Sequence, residues 1–162
     1  MASPAQRGSD DADVIARLAQ LAFLVQGTLA RVAEAHELTT VQARLLMVLT
    51  DREPTMQVLA RIMGLEKSSL TGLVERAEAR GLLERFAAEE SRRSVRVRLT
   101  EEGHRRSAAY RDAARPELAG LLGSLSEAER RRLGTLADRI VQDYVVARDI
   151  DVSTIEMPSR FA

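Results

Sequence analysis

Two small residues, Ala60 and Gly64, lie within the stretch MQVLARIMGLEKSSLTGL, residues 56–73, and restrict its folding more than any other feature of the chain. Counted with Met56 as the first of twenty positions, a helix-turn-helix needs a small residue at the fifth, where the second helix crosses closely above the first. At the ninth it needs a residue tolerant of positive φ, which glycine accepts without a Cβ clash. Its fourth, eighth, tenth, fifteenth and eighteenth positions face the core. Here those seven positions read Ala60, Gly64, Leu59, Met63, Leu65, Leu70 and Leu73, and all of them fit.

This frame predicts that the second helix begins near Glu66 and exposes Lys67, Ser68, Ser69 and Thr71, with Lys67 the only lysine in the chain. A recognition helix enters the major groove with its N-terminal residues at the base edges, and short hydroxyls can bond there without holding the backbone away. The positive end of the helix dipole also suits phosphate. Taken alone, these hydroxyls could equally be capping residues and Lys67 a solvated cation. The segment that follows decides between the two. In SVRVRLT the period changes to two, with apolar Val95, Val97 and Leu99 alternating with Arg96 and Arg98, as in a strand with one buried face. LLERF before it is a partner strand, and AAEESRR between them puts Arg92 and Arg93 at the tip of a two-stranded ribbon. Arginine in a narrow minor groove gains from the concentrated negative potential there.

The remaining chain has a helical period. Leu18, Leu21, Val25, Leu29 and Val32 predict a long helix over about 13–35. Thr39 and Gln42 form a capping-box pair for the next helix, Pro54 breaks it, and Thr55 caps a third. A helix after Thr100 reaches about Leu122, and Ser126 with Glu129 opens the last one. The expected fold is mainly α with a small β-hairpin wing, a winged helix-turn-helix over about 39–100. Residues 1–12 are polar and acidic and read as a disordered N-terminus, and 149–162 as a C-terminal tail.

Composition excludes several chemistries. The absence of cysteine removes disulfides, thiol nucleophiles and cysteine metal sites. His36 and His104 have no metal-ligand spacing, so neither a metal nor another cofactor is expected. Ser68 or Ser69 paired with His104 lacks a nucleophile elbow, so no enzyme activity is expected. No uninterrupted apolar run approaches the roughly 20 residues of a membrane span, and no hydrophobic signal segment is seen, so a cytoplasmic protein without membrane contact is expected. Overall charge is zero, but residues 52–98 hold ten basic groups against seven acidic ones, so attraction to nucleic acid must be local.

With a helix, a helix-turn-helix, a wing and two closing helices in this order, the chain resembles the MarR-type regulators (multiple antibiotic resistance regulators) from about Val14 to Val146. The carriers are LARIMGLEKSSLTGLVERAEARGLLER and RRSVRVRLTEEG, the latter with the family's leucine-threonine pair and following glycine. The resemblance implies a MarR-like domain over 13–148 whose helices at about 13–35 and 101–148 pair two copies into a homodimer. It further implies double-stranded DNA with a pseudo-palindromic operator as partner, and a repressor released by a small lipophilic or aromatic-acid effector. By position it assigns DNA contact to Lys67, Ser68, Ser69, Thr71, Arg76, Arg92 and Arg93, and ligand contact to His36, Arg44 and Met47. A winged helix used for protein–protein contact is the alternative. The wing departs from the family pattern in having Ser91, beside Glu89 and Glu90, where an aspartate usually precedes the arginine pair.

Overall fold

A computed structural model describes the backbone over residues 4–88 and 91–147 and the side chains over 12–87 and 95–144. Its elements are α1 (Pro4–Ala35), α2 (Thr40–Leu49), α3 (Met56–Met63), α4 (Lys67–Ala79), β1 (Leu83–Ala88), β2 (Ser91–Leu99), α5 (Glu101–Leu121) and α6 (Glu127–Ala147). The tail 149–162 lies outside the described residues.

Helix starts are set by side chains that replace missing backbone acceptors. Thr39 and Gln42 exchange hydrogen bonds as a full capping box on α2. Thr55 accepts from Val58 N on α3, Thr100 from Gly103 N on α5, and Ser126 and Glu129 bond reciprocally before α6. Three helix ends, those of α1, α3 and α4, share one device. At Gly64 (φ 64°) and Gly81 (φ 68°) the chain turns left-handed, and the next N–H reaches back five residues, Leu65 to the Ala60 carbonyl and Leu82 to that of Ala77. The same closure ends α1, where Leu38 N bonds the Ala33 carbonyl, but a glutamate, Glu37 (φ 56°), holds the left-handed position. That conformation costs a non-glycine residue about 1–2 kcal/mol.

The core lies between α2, α3, α4, α5 and the base of the hairpin. Leu45, Leu46, Leu49, Leu59, Leu70, Val74, Leu82, Leu83 and Val97 are essentially inaccessible within it, and Tyr110 joins them from α5. Burial pushes the Tyr110 phenol above its ordinary value. One polar pair bridges the centre: Thr50 donates to the Leu46 carbonyl, which leaves buried Ser107 to donate to Thr50 Oγ1 at 2.8 Å.

The structure bears on three expectations and corrects the one for Val95. Residues 4–12, whose composition suggests disorder, are helical in backbone, since Pro4 is preorganised at the first helical position and each further residue adds a bond to a helix already nucleated. Val95, assigned to the buried face, is 41 % exposed, because the ribbon runs out beyond the core that covers Val97 and Leu99. Residues 12–35 of α1 are long and apolar enough to cross a bilayer by length and composition, which uninterrupted runs had not indicated; yet Arg17 and Arg31 interrupt them, and Thr28, Val32 and Ala33 are buried in the protein's own core.

Candidate nucleic-acid interface

The helix-turn-helix frame places its residues as the steric argument requires. Leu59, Met63, Leu70 and Leu73 are buried, and Ala60 and Leu65 pack against the core. The inward row of α4 is Leu70, Leu73, Val74 and Ala77, which leaves Lys67, Ser68, Ser69, Glu75 and Arg76 exposed on the opposite face. Thr71 is half-buried, and its hydroxyl donates to the Lys67 carbonyl at 2.8 Å, so only its lone pairs remain for a partner. Glu66 occupies the N-cap but makes no side-chain hydrogen bond to the first turn. The start of α4 is therefore polar, exposed and lacking a side-chain cap.

Ion pairing separates the structural cations from the available ones. Arg85 on β1 binds Glu78 through Nη2 at 2.6 Å and through its own N–H at 3.2 Å, which fastens the first wing strand to α4. Arg98 bonds Glu84 at 2.7 Å and lies 4.7 Å from the Phe86 ring centre. Arg44, expected at a ligand, donates through Nη2 to the Ile62 carbonyl at the end of α3. Lys67 and Arg76 have no ion-pair or hydrogen-bond partner among the described residues.

The hairpin is antiparallel, with Leu83 opposite Leu99 and Ala87 opposite Val95. The next pair is Ala88 with Ser91, so residues 92–94 form an irregular bulge in β2. Arg92 and Arg93, expected in the connecting loop, thus have strand backbone near the outer end of the ribbon, and their side chains lie outside the described residues. At the inner end, Val97 N donates to the Pro54 carbonyl and Thr55 pairs with Arg96 in a single antiparallel bridge, which ties the approach to α3 to β2.

A joint not foreseen from the sequence ties this lobe to α1. Arg80, just past α4, donates to the Glu37 carbonyl at 2.9 Å and to Gln42 Oε1 at 3.2 Å. From α5, Arg106 donates to the His36 carbonyl at 3.1 Å and to Glu37 Oε2 at 3.2 Å. The left-handed turn is thereby held from both sides. His36 borders this joint, and Met47 is buried beside Ser107. An open polar groove of about 520 Å³ lies elsewhere, between Thr50–Glu53, Arg96, Arg98 and His104, and is lined by none of His36, Arg44 and Met47.

Three carboxylates are held below the usual range: Glu78 by the hydrogen bond from Arg85, Glu102 by those from Arg105 and then Arg106, and Glu129 by Ser126. A folded-state pKa below the unfolded one contributes stability above the unfolded value, near 4.3, that is lost as pH falls through the folded value. Thermal melts should be level from about pH 6 to 5 and fall below about 4.3. Glu78→Gln should flatten that fall.

These elements define a winged helix-turn-helix with long helices on either side of it in sequence. The MarR family model matches residues 36–94. A MarR family protein from Bacillus stearothermophilus is 25 % identical over 85 % of this chain and 97 % of its own, with a TM-score of 0.77. A MarR family transcriptional regulator from Rhodococcus sp. RHA1 is 22 % identical over 82 % and 93 %, with a TM-score of 0.69. CouR from Rhodococcus jostii RHA1, in a structure bound to p-coumaroyl-CoA, is 20 % identical over 76 % and 87 %, with a TM-score of 0.64. No curated protein matches the sequence. The family match spans the helix-turn-helix and most of the wing, and the fold as a whole is that of MarR-family structures.

Proposed function

We propose that the protein is a homodimeric, sequence-specific DNA-binding regulator, a repressor released by a small aromatic or lipophilic acid. The observation that carries this reading is the outer face of α4, where Lys67, Ser68, Ser69 and Arg76 are exposed and both cations are unpaired among the described residues, beside a projecting ribbon. Hydroxyls and Lys67 at the helix start would meet base edges and phosphates in the major groove, and Arg92 and Arg93 the adjacent minor groove. Cytoplasmic location follows from that role.

Dimerisation is supported by apolar surface left uncovered among the described residues. Every described residue of α6 with a resolved side chain, 127–144, is exposed, among them Leu133, Leu136, Ile140, Val141 and Tyr144. On α1, Val14, Ile15, Leu18, Leu21, Phe23 and Leu24 are exposed as well. A helix that is apolar on most sides is stable only when covered, and a second copy supplies the matching surface. We divide the chain accordingly into a DNA-binding lobe over about 39–100 and dimerisation helices at about 13–35 and 101–148. A twofold axis would set the two α4 helices about 34 Å apart, one turn of DNA.

The p-coumaroyl-CoA held by CouR makes an aromatic acid or its thioester the first effector class to test. Bound where α1, α2 and α5 meet, near His36 and Met47, it would release DNA only by preferring a dimer geometry that spoils the half-site spacing. Arg44, exposed and bonded to the Ile62 carbonyl through Nη2 alone, keeps further N–H donors for it.

Selection of bound sites from random duplex DNA tests the central reading, since a protein-contact module would yield no consensus. On the selected site, Lys67→Ala should cost about 1–3 kcal/mol and relax base preference. Arg92→Ala should weaken all sequences alike and lower the salt slope by about 1. Mobility-shift titrations with both variants unchanged would reject the interface.

A further inference from the structure

Glycine disfavours a helix more than any residue but proline, so a glycine inside an exposed helix needs a reason. Gly72 lies on the outer face of α4, one turn after Ser68 and one turn before Arg76, while the inward row runs through Leu70, Leu73, Val74 and Ala77. Its φ is not left-handed, so no turn requires it. A Cβ built at Gly72 comes close to one group only, Arg76 Nη1 at 3.2 Å. Helical side chains lean toward the N-terminus of their helix. The Arg76 guanidinium therefore lies back along α4 against the bare backbone of Gly72. It has no partner among the described residues.

We propose that Gly72 is a positioning residue for Arg76. By presenting no side chain, it lets the guanidinium rest against the helix, one turn nearer the end that meets DNA, with its planar fork free for a phosphate. A methyl group at position 72 closes that seat and pushes the fork outward, off the helix surface. This rests on the DNA-binding reading above. Arg76 touches the duplex, and Gly72 acts through it.

The test is a double-mutant cycle on the full-length protein with the duplex selected by the wild type, read by fluorescence anisotropy across a salt series and by thermal melting. Gly72→Ala should melt no lower than wild type, because alanine is the better helix former, yet bind about tenfold more weakly with a salt slope reduced by about 1. Arg76→Ala should show the same loss. The double variant should bind no more weakly than Arg76→Ala alone. Wild-type affinity in Gly72→Ala overturns the proposal, as does an equal Gly72→Ala loss in the Arg76→Ala background, which would mean that the methyl group meets the duplex itself. A wild type that selects no duplex fails at the earlier step and removes both readings together.

Discussion

Gly103→Ala should destabilise the protein by about 3 kcal/mol or more, with the melting temperature falling by roughly 10 °C. In an ordinary helix position the same change stabilises by about 0.5–1 kcal/mol, so the sign alone is diagnostic. The reason is backbone contact. A Cβ at position 103 would lie 1.8 Å from the Leu82 carbonyl oxygen, 2.9 Å from its carbon and 3.2 Å from Leu99 Cβ. Relief requires the first turn of α5 to lift off the end of α4. That movement strains three bonds in one place: Gly103 N to Thr100 Oγ1 at 3.1 Å, Thr100 Oγ1 to the Gly81 carbonyl at 2.6 Å, and Thr100 N to the Leu82 carbonyl at 3.2 Å. Circular dichroism melts of the variant check the prediction, and an unchanged melting temperature would refute it.

The second large effect concerns assembly. Leu136→Glu combined with Ile140→Glu puts two charges on the apolar face of α6, which is exposed among the described residues. In a dimer those charges would be desolvated without partners. The variant should sediment as a single chain while its lobe keeps its fold. Its affinity for a two-half-site duplex should fall by about 10²–10⁴-fold, the gain that linkage gives to a second binding event. A dimeric mass for this variant, or unchanged affinity in the monomer, would contradict the proposed arrangement.

Much of this architecture was legible in the chain because it rests on residues with few alternatives. Gly64 and Gly81 end helices where only glycine turns cheaply, Thr39 and Thr55 cap the helices they precede, and a two-residue period at 95–99 cannot be helical. Lys67 to Ser69 were legible as exposed because the inward positions of α4 were already assigned to leucines. The joint at Glu37 was not. A glutamate in the left-handed position carries no sequence signal, and the arginines that hold it are remote in sequence, Arg80 and Arg106. Pattern reasoning also overstated Val95, since alternation reports which side a residue points to and not how far the covering core extends. The bond from Arg44 to the Ile62 carbonyl at the last turn of α3 was invisible for the same reason, since it joins residues on two helices.

The bond from Val97 N to the Pro54 carbonyl carries a mechanical consequence. Because the segment entering α3 is stitched into the ribbon, with Arg96 also reaching the Glu53 carbonyl, the wing is geared to the first helix of the helix-turn-helix and does not swing on a hinge of its own. Tilting one drags the other, so shortening or stiffening the 51–54 linker should re-aim the wing.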